Sequence, residues 1–303
     1  MRPAWSVILL TTLIGAGQGL FLALFAAEAF GQGGSTLFVP GAAAALVLLA
    51  GGLAASFFHL GHPERAWRSA AMWRTSWLSR EVLALPAFMA VVFAWGVAHW
   101  QGTPTLVWGA AGVALALALF LCTGMIYACL PFLQEWRTPL TIVNFTLLGC
   151  ASGVTAAAAL SAWLQPALAR GYVTAALALG ALAYLGRLAS LSRNARLRPK
   201  STLATAIGVK HPRIVQIAQG AMGGSFNTRE FFHGRPREVV RAVRWSFLAL
   251  VFPVPALLLW GSSQAAPVLG AAFLLQYAGL LAERWYFFAE AKHPQNLYYQ
   301  AIA

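Results

Sequence analysis

The chain contains no aspartate, and its eight acidic residues are all glutamate. Only 10% of its 303 residues are charged, against about 25% in a soluble globular domain. Charge this scarce cannot cover a surface that faces water all round, which excludes an ordinary soluble protein. Cysteine is scarce as well. Cys122, Cys129 and Cys150 lie inside apolar runs, with no C-x-x-C and no His at ligand spacing. They read as small buried hydrophobes rather than metal ligands or disulfide partners, and no metal site is expected. No G-x-x-x-x-G-K-[ST] loop is present to cradle a phosphate, so the chain is not its own ATPase. Ion and proton carriers usually place ionisable groups in the middle of their spans. Here no Glu falls there, which disfavours a pump. A transmembrane b-type haem needs His ligands on facing helices. Of six His, five lie in or beside connectors and tail, and His99 lies at the opposite end of a run, so no haem is expected.

What is present is apolar. Hydrophobic residues make up 59% of the chain, with twelve Trp and nineteen Phe, a composition that suits aromatic belts at two membrane–water interfaces. Charge-free intervals then count the spans, since a crossing helix needs about 20 apolar residues. They predict an all-α, polytopic membrane protein: a single membrane domain over 1–303, bundled from eight transmembrane helices. The expected spans are 5–28, 38–60, 80–99, 105–129, 139–164, 171–191, 243–261 and 266–283. The apolar run that begins after Arg2 is longer than a signal-peptide core and is read as the first span. Residues 194–240 form a basic, Gly-containing extramembrane loop, too short to bury a core of its own.

The net charge of +13 could suggest nucleic acid, but its distribution argues for a membrane face instead. With eight spans, every basic residue except Arg170 and every acidic residue except Glu28 lies on the side of the termini. Positive connectors stay cytoplasmic, so both termini are predicted cytoplasmic, in a bacterial inner membrane and in contact with its lipids. A basic face can also dock an acidic partner.

The connector from His59 to Glu81, HLGHPERAWRSAAMWRTSWLSRE, concentrates the chain's chemistry. His59 ends the second span and Glu81 begins the third, near one membrane face. A quinone reacts where its head group meets such a face, and its reduction moves two protons. A His that titrates near neutrality and a Glu desolvated at a helix end suit that task. The plainer reading makes His59 an interfacial polar residue and Ser79 the N-cap of the third helix, with Glu81 in its first turn. Arg65, Arg68, Arg74 and Arg80, interleaved with Trp67, Trp73 and Trp77, are interfacial anchors, a docking face or pocket walls. Asn227, Arg229, Glu230 and His233, in the aromatic segment NTREFFH, suit packing over helix ends or a contact with a partner. Arg284, beside Glu283 at the end of the last span, is expected at the interface as an ion-pairing residue, with a pocket contact as the alternative.

The pattern His59-Leu-Gly-x-Pro63-x-Arg65-Ala66, followed by Ser79-x-Glu81, resembles the membrane anchor subunit of the dimethyl sulfoxide reductase family, and the eight-helix plan fits over nearly the whole chain. That resemblance implies a haem-free anchor that binds menaquinone or ubiquinone and serves anaerobic respiration without pumping protons. Its partners would be a ferredoxin-like subunit with four iron–sulfur clusters and a catalytic subunit with a molybdenum or tungsten bis-pterin. It also implies quinone binding and proton relay at His59 and Glu81. The long 194–240 loop departs from the shortest members, which leaves the partner's reaction open. A cytoplasmic connector suits a cytoplasmic catalytic subunit. Two rivals remain: a transporter or permease, and an anchor that binds no quinone.

Overall fold

Each charge-free interval folds as a helix in the computed structural model, which describes residues 1–58, 60–211, 213–215, 217 and 231–298. Six long helices come first: α1 (Trp5–Ala29), α2 (Ser35–Phe57), α3 (Trp77–Gln101), α4 (Leu106–Ala128), α5 (Pro139–Leu164) and α6 (Ala169–Ala195). A short α7 (Leu203–Ile207) follows in the basic loop. The last helices are α8 (Arg237–Val251), α9 (Pro253–Gly261), α10 (Ala266–Glu290) and a terminal turn, α11 (Gln295–Tyr298). Counting α8 with α9 as one interrupted crossing, eight segments among the described residues are long and apolar enough to span a bilayer.

The ends of these helices follow ordinary capping chemistry. Thr138 accepts a hydrogen bond from the Leu140 N–H at the start of α5, with Pro139 in the first turn, where its missing N–H costs nothing. Gly102 ends α3 at φ 70°, a left-handed conformation that a residue without Cβ adopts freely. The start of α3 differs from expectation. Ser76, not Ser79, is the N-cap, accepting from the Ser79 N–H at 3.3 Å, and Ser79 is buried one turn further in.

The bundle is built around α1 and α5, which pack along one another through facing glycines. Gly15 and Gly19 stand four apart on α1, as do Gly149 and Gly153 on α5. A Cβ on Gly15 would lie 3.5 Å from Gly149 Cα, and one on Gly153 would fall on the backbone of Gly19 and Leu20. Water gives no drive for helix association inside a bilayer, so close backbone approach of this kind, with its dispersion contacts, carries the assembly. Around this pair α2, α4 and α10 pack on α1, while α4, α6 and α10 pack on α5. Gln18 secures α4 by donating to the Ala116 carbonyl at 2.9 Å.

The seventh crossing is broken. Pro255 has no N–H to give to the Val251 carbonyl four residues back, and Pro253 likewise withdraws a donor. The chain bends at Phe252 (φ −115°, ψ −79°). In the bilayer an abandoned carbonyl needs another donor, and the buried Gln276 amide of α10 provides it, 3.4 Å from Val251 O. The end of α8 is thereby held to α10, against which α9 also packs.

Replacing Gly153 with Ala should cost about 3 kcal/mol, the upper range for forcing a methyl into a packed site. Gly270, which has open space around it, should accept the same change without loss. Thermal unfolding of the purified chain in detergent, read for both variants, checks the pair.

Candidate functional site

On the side of the termini, the connector 60–76 is almost wholly exposed. It includes a 3-10 helix, Pro63–Ala70, with no buried residue. Arg65 is exposed there, 3.7 Å from the Glu64 carboxylate. Arg80 turns back toward the connector, donating to the Trp73 and Arg74 carbonyls at 2.9 and 2.8 Å while its guanidinium covers the Trp77 ring at 4.2 Å. This clamp fixes the start of α3. Arg80 is therefore a brace of the connector, and its head is spent on that task.

The next residue faces the other way. Glu81 is buried, 6% exposed, and accepts a hydrogen bond from the Thr123 hydroxyl on α4. One turn along α4, Tyr127 stands within electrostatic reach of both Glu81 and Arg284. The Tyr127 ring lies in a cage of Trp136, Phe145, Phe287 and Phe288, with centroids 5.2 to 5.6 Å away. The Trp136 indole N–H donates to the Phe287 carbonyl at 3.0 Å and pins the 130–137 connector onto α10.

Arg284 pairs with Glu283 as expected, but it is buried in the bundle rather than exposed at a helix end. It is 4% exposed, its guanidinium lies 3.6 Å over the Phe145 ring, and it pairs with Glu283 at 3.2 Å. The reason is that α10 continues to Glu290, so Glu283 and Arg284 lie about two turns inside the helix rather than at its end. Glu283 is fully buried and also meets Arg187 of α6 at 2.9 Å, and Arg187 reaches toward Glu290 at 3.9 Å. Two cations and two anions thus compensate one another in an apolar surround. Sequence reasoning missed Thr123, Tyr127 and Arg187. Thr123 and Tyr127 are uncharged residues inside an apolar run; Arg187 is a lone cation inside the sixth span, and that was the one available signal.

Of the remaining expected residues, His59, Asn227, Arg229 and Glu230 lie outside the described residues. His233 is described. Its Nδ1 accepts from the Arg235 N–H at 3.0 Å, and its ring leans on Trp285 at 6.2 Å. Burial foremost, then the positive charges of the amino terminus and Arg235, hold its pKa below the ordinary histidine value. Beside it, Phe231 stacks on His293 at 3.7 Å and its carbonyl accepts from Asn296 at 2.7 Å, which ties the end of the basic loop to the tail.

At the opposite end of the bundle a second polar knot closes the helix tips. Glu28 accepts from the Trp95 indole at 2.7 Å and from Thr105, with His99 at 3.2 Å. All three partners belong to the α3–α4 hairpin, so Glu28 latches α1 to it. Among the described residues no group of three or more His, Cys, Asp or Glu is placed to hold a metal ion.

Arg187→Leu should destabilise the bundle by about 3–5 kcal/mol, because it leaves buried carboxylate charge short of its partner. Arg187→Lys, which keeps the charge, should cost less. The recovery of folded chain from membranes and its unfolding midpoint would check both.

Residues 1–299 match the family described as DMSO reductase anchor subunit (DmsC). A sulfite dehydrogenase subunit of Allochromatium vinosum is 55% identical over 328 aligned positions that cover all of both chains. With eight helices fit to cross a bilayer and a match from end to end, the chain belongs to the DMSO reductase anchor subunit family of integral membrane proteins.

Proposed function

We propose that this anchor passes electron pairs between the quinone pool and an iron–sulfur subunit, which links it to a molybdenum or tungsten catalytic subunit. The observation that carries this reading is the Glu81 carboxyl, buried at the membrane face where the exposed connector meets α3, with a hydroxyl partner and a Tyr beside it. A quinone head group takes up two electrons and two protons on reduction, so it needs an acid–base group at the edge of the apolar phase. Glu81 would hold or release the proton at Oε1 or Oε2, and Thr123 would orient it. His59, on the other side of the connector, would exchange protons with water. Arg284, paired with Glu283 and laid over the Phe145 ring, would fix the wall of the site beside Tyr127. These roles need no ionisable path across the bilayer, and the reading includes no proton pumping.

The likeness to a sulfite dehydrogenase subunit supports a direction for the electrons. In the proposed complex, sulfite and water give sulfate, two electrons and two protons in the catalytic subunit. The electrons pass through the iron–sulfur subunit to the quinone, which takes up two protons to become quinol. The basic side, which carries the termini, the connector and the 194–240 loop, would face the bacterial cytoplasm and receive the partner subunits there.

In membranes carrying Glu81→Gln, quinone-linked turnover should fall about a hundredfold, the lower range for losing a general acid–base group. Turnover of the same complex with a soluble dye should be retained. Normal rates with both acceptors would remove Glu81 from the mechanism and leave the chain an anchor without a quinone site here. Orientation has its own check: with Cys129→Ser as background, a membrane-impermeant thiol reagent should label Arg68→Cys in inverted vesicles and leave it unlabelled in intact spheroplasts. Labelling in spheroplasts would reverse the topology.

A further inference from the structure

Beside the fold's central site, a groove of about 270 Å³ lies between the first half of α8 and the end of α10. Arg235, Arg237, Arg241, Arg244, Lys292 and His233 line it. Arg237, Arg241 and Arg244 recur at intervals of four and three, so they share one face of α8. Among the described residues, no carboxylate lies within 4 Å of any of these four arginines. Glu290, the acidic residue in the wall, lies 3.9 Å from Arg187 and also feels Arg244, so one carboxylate faces the groove's several cations. Arg244 and Tyr286 line the same groove, and the buried Arg244 Nε has no hydrogen-bond partner among the described residues. Four arginines and a lysine around one groove give it a positive potential that an anion would compensate.

The depth of the groove selects the anion. Residues 245–261, directly after Arg244, carry no charge, so α8 passes from headgroup level into the apolar phase at this point. Trp245, 63% exposed, and Leu257, 72% exposed, lie outward on the same crossing, where acyl chains would run. A basic pocket between spanning helices at a membrane face has the form that takes phospholipid head groups. We infer that this groove binds the phosphate of an anionic glycerophospholipid, with the arginines of α8 on the phosphate and the acyl chains along α8 and α9.

The test uses the complete complex purified in mild detergent, comparing wild type with Arg237→Gln/Arg241→Gln and with Arg237→Lys/Arg241→Lys. Phosphatidylglycerol, phosphatidylcholine and inorganic phosphate are the probes, read by native mass spectrometry and by the unfolding midpoint. Wild type should retain phosphatidylglycerol and gain stability when it is added, and phosphatidylcholine should do neither. Affinity of the Gln pair should fall about thirtyfold for two lost surface charges, and the Lys pair should bind close to wild type. Equal retention by the Gln pair and wild type would overturn the assignment. So would equal stabilisation by inorganic phosphate alone, which would make the ligand a free anion. Loss of the partner subunits with lipid retention unchanged would also overturn it and make the groove a protein-docking face.

Discussion

The close crossing of α1 and α5 is the constraint on which the remaining geometry depends. Glycine at 15, 19, 149 and 153 lets the two backbones meet, and α2, α4, α6 and α10 each have a place against one or both. From α1, Gln18 fixes α4 and Glu28 fixes the α3–α4 hairpin at its far end. From α5, Phe145 supplies the ring on which Arg284 rests, and Asn144 donates to Ser190 of α6 at 2.7 Å. The end of α4, with Thr123 and Tyr127, is thereby carried to the start of α3, and Glu81 acquires its partner. A widening of the glycine contact would move all of these together.

Polar groups are gathered at the two ends of this bundle, and the two ends use them differently. At the end opposite the termini, Glu28 is held by three partners and is chemically quiet. Near the other end Glu283, Glu290, Arg187 and Arg284 neutralise one another. Glu81 stands apart from both sets, and among the described residues its carboxyl accepts from one neutral hydroxyl, that of Thr123. In the proposed function, a protonated carboxyl so placed would donate to a carbonyl oxygen of a quinone head group arriving from the lipid.

The eight crossings were legible in the sequence because charge is so rare that its absence marks each span. Glu81 was legible for the same reason, as a charged residue next to a greasy interval. The glycine crossing was hidden among 28 glycines, since the spacing alone does not say which face meets which. The misassigned cap and the misplaced Arg284 share a cause. Both readings set a helix end from the nearest charged or capping residue, whereas α3 begins at Trp77 and α10 runs to Glu290. The Arg187–Glu283 pair joins residues 96 apart in the chain, and only folding brings them together. The Pro253 and Pro255 break was visible in the letters, but its repair by Gln276 was not.

The central claim is that a quinone head group sits where α3 meets the end of α4. The most direct measurement is photolabelling of the intact complex with a quinone analogue carrying an azide on its ring, followed by peptide mapping. The account predicts label on residues 77–85 and 119–127, lost when excess quinone competes. Competed label at the opposite end, around Glu28 and His99, or no competed label on this chain at all, would contradict it.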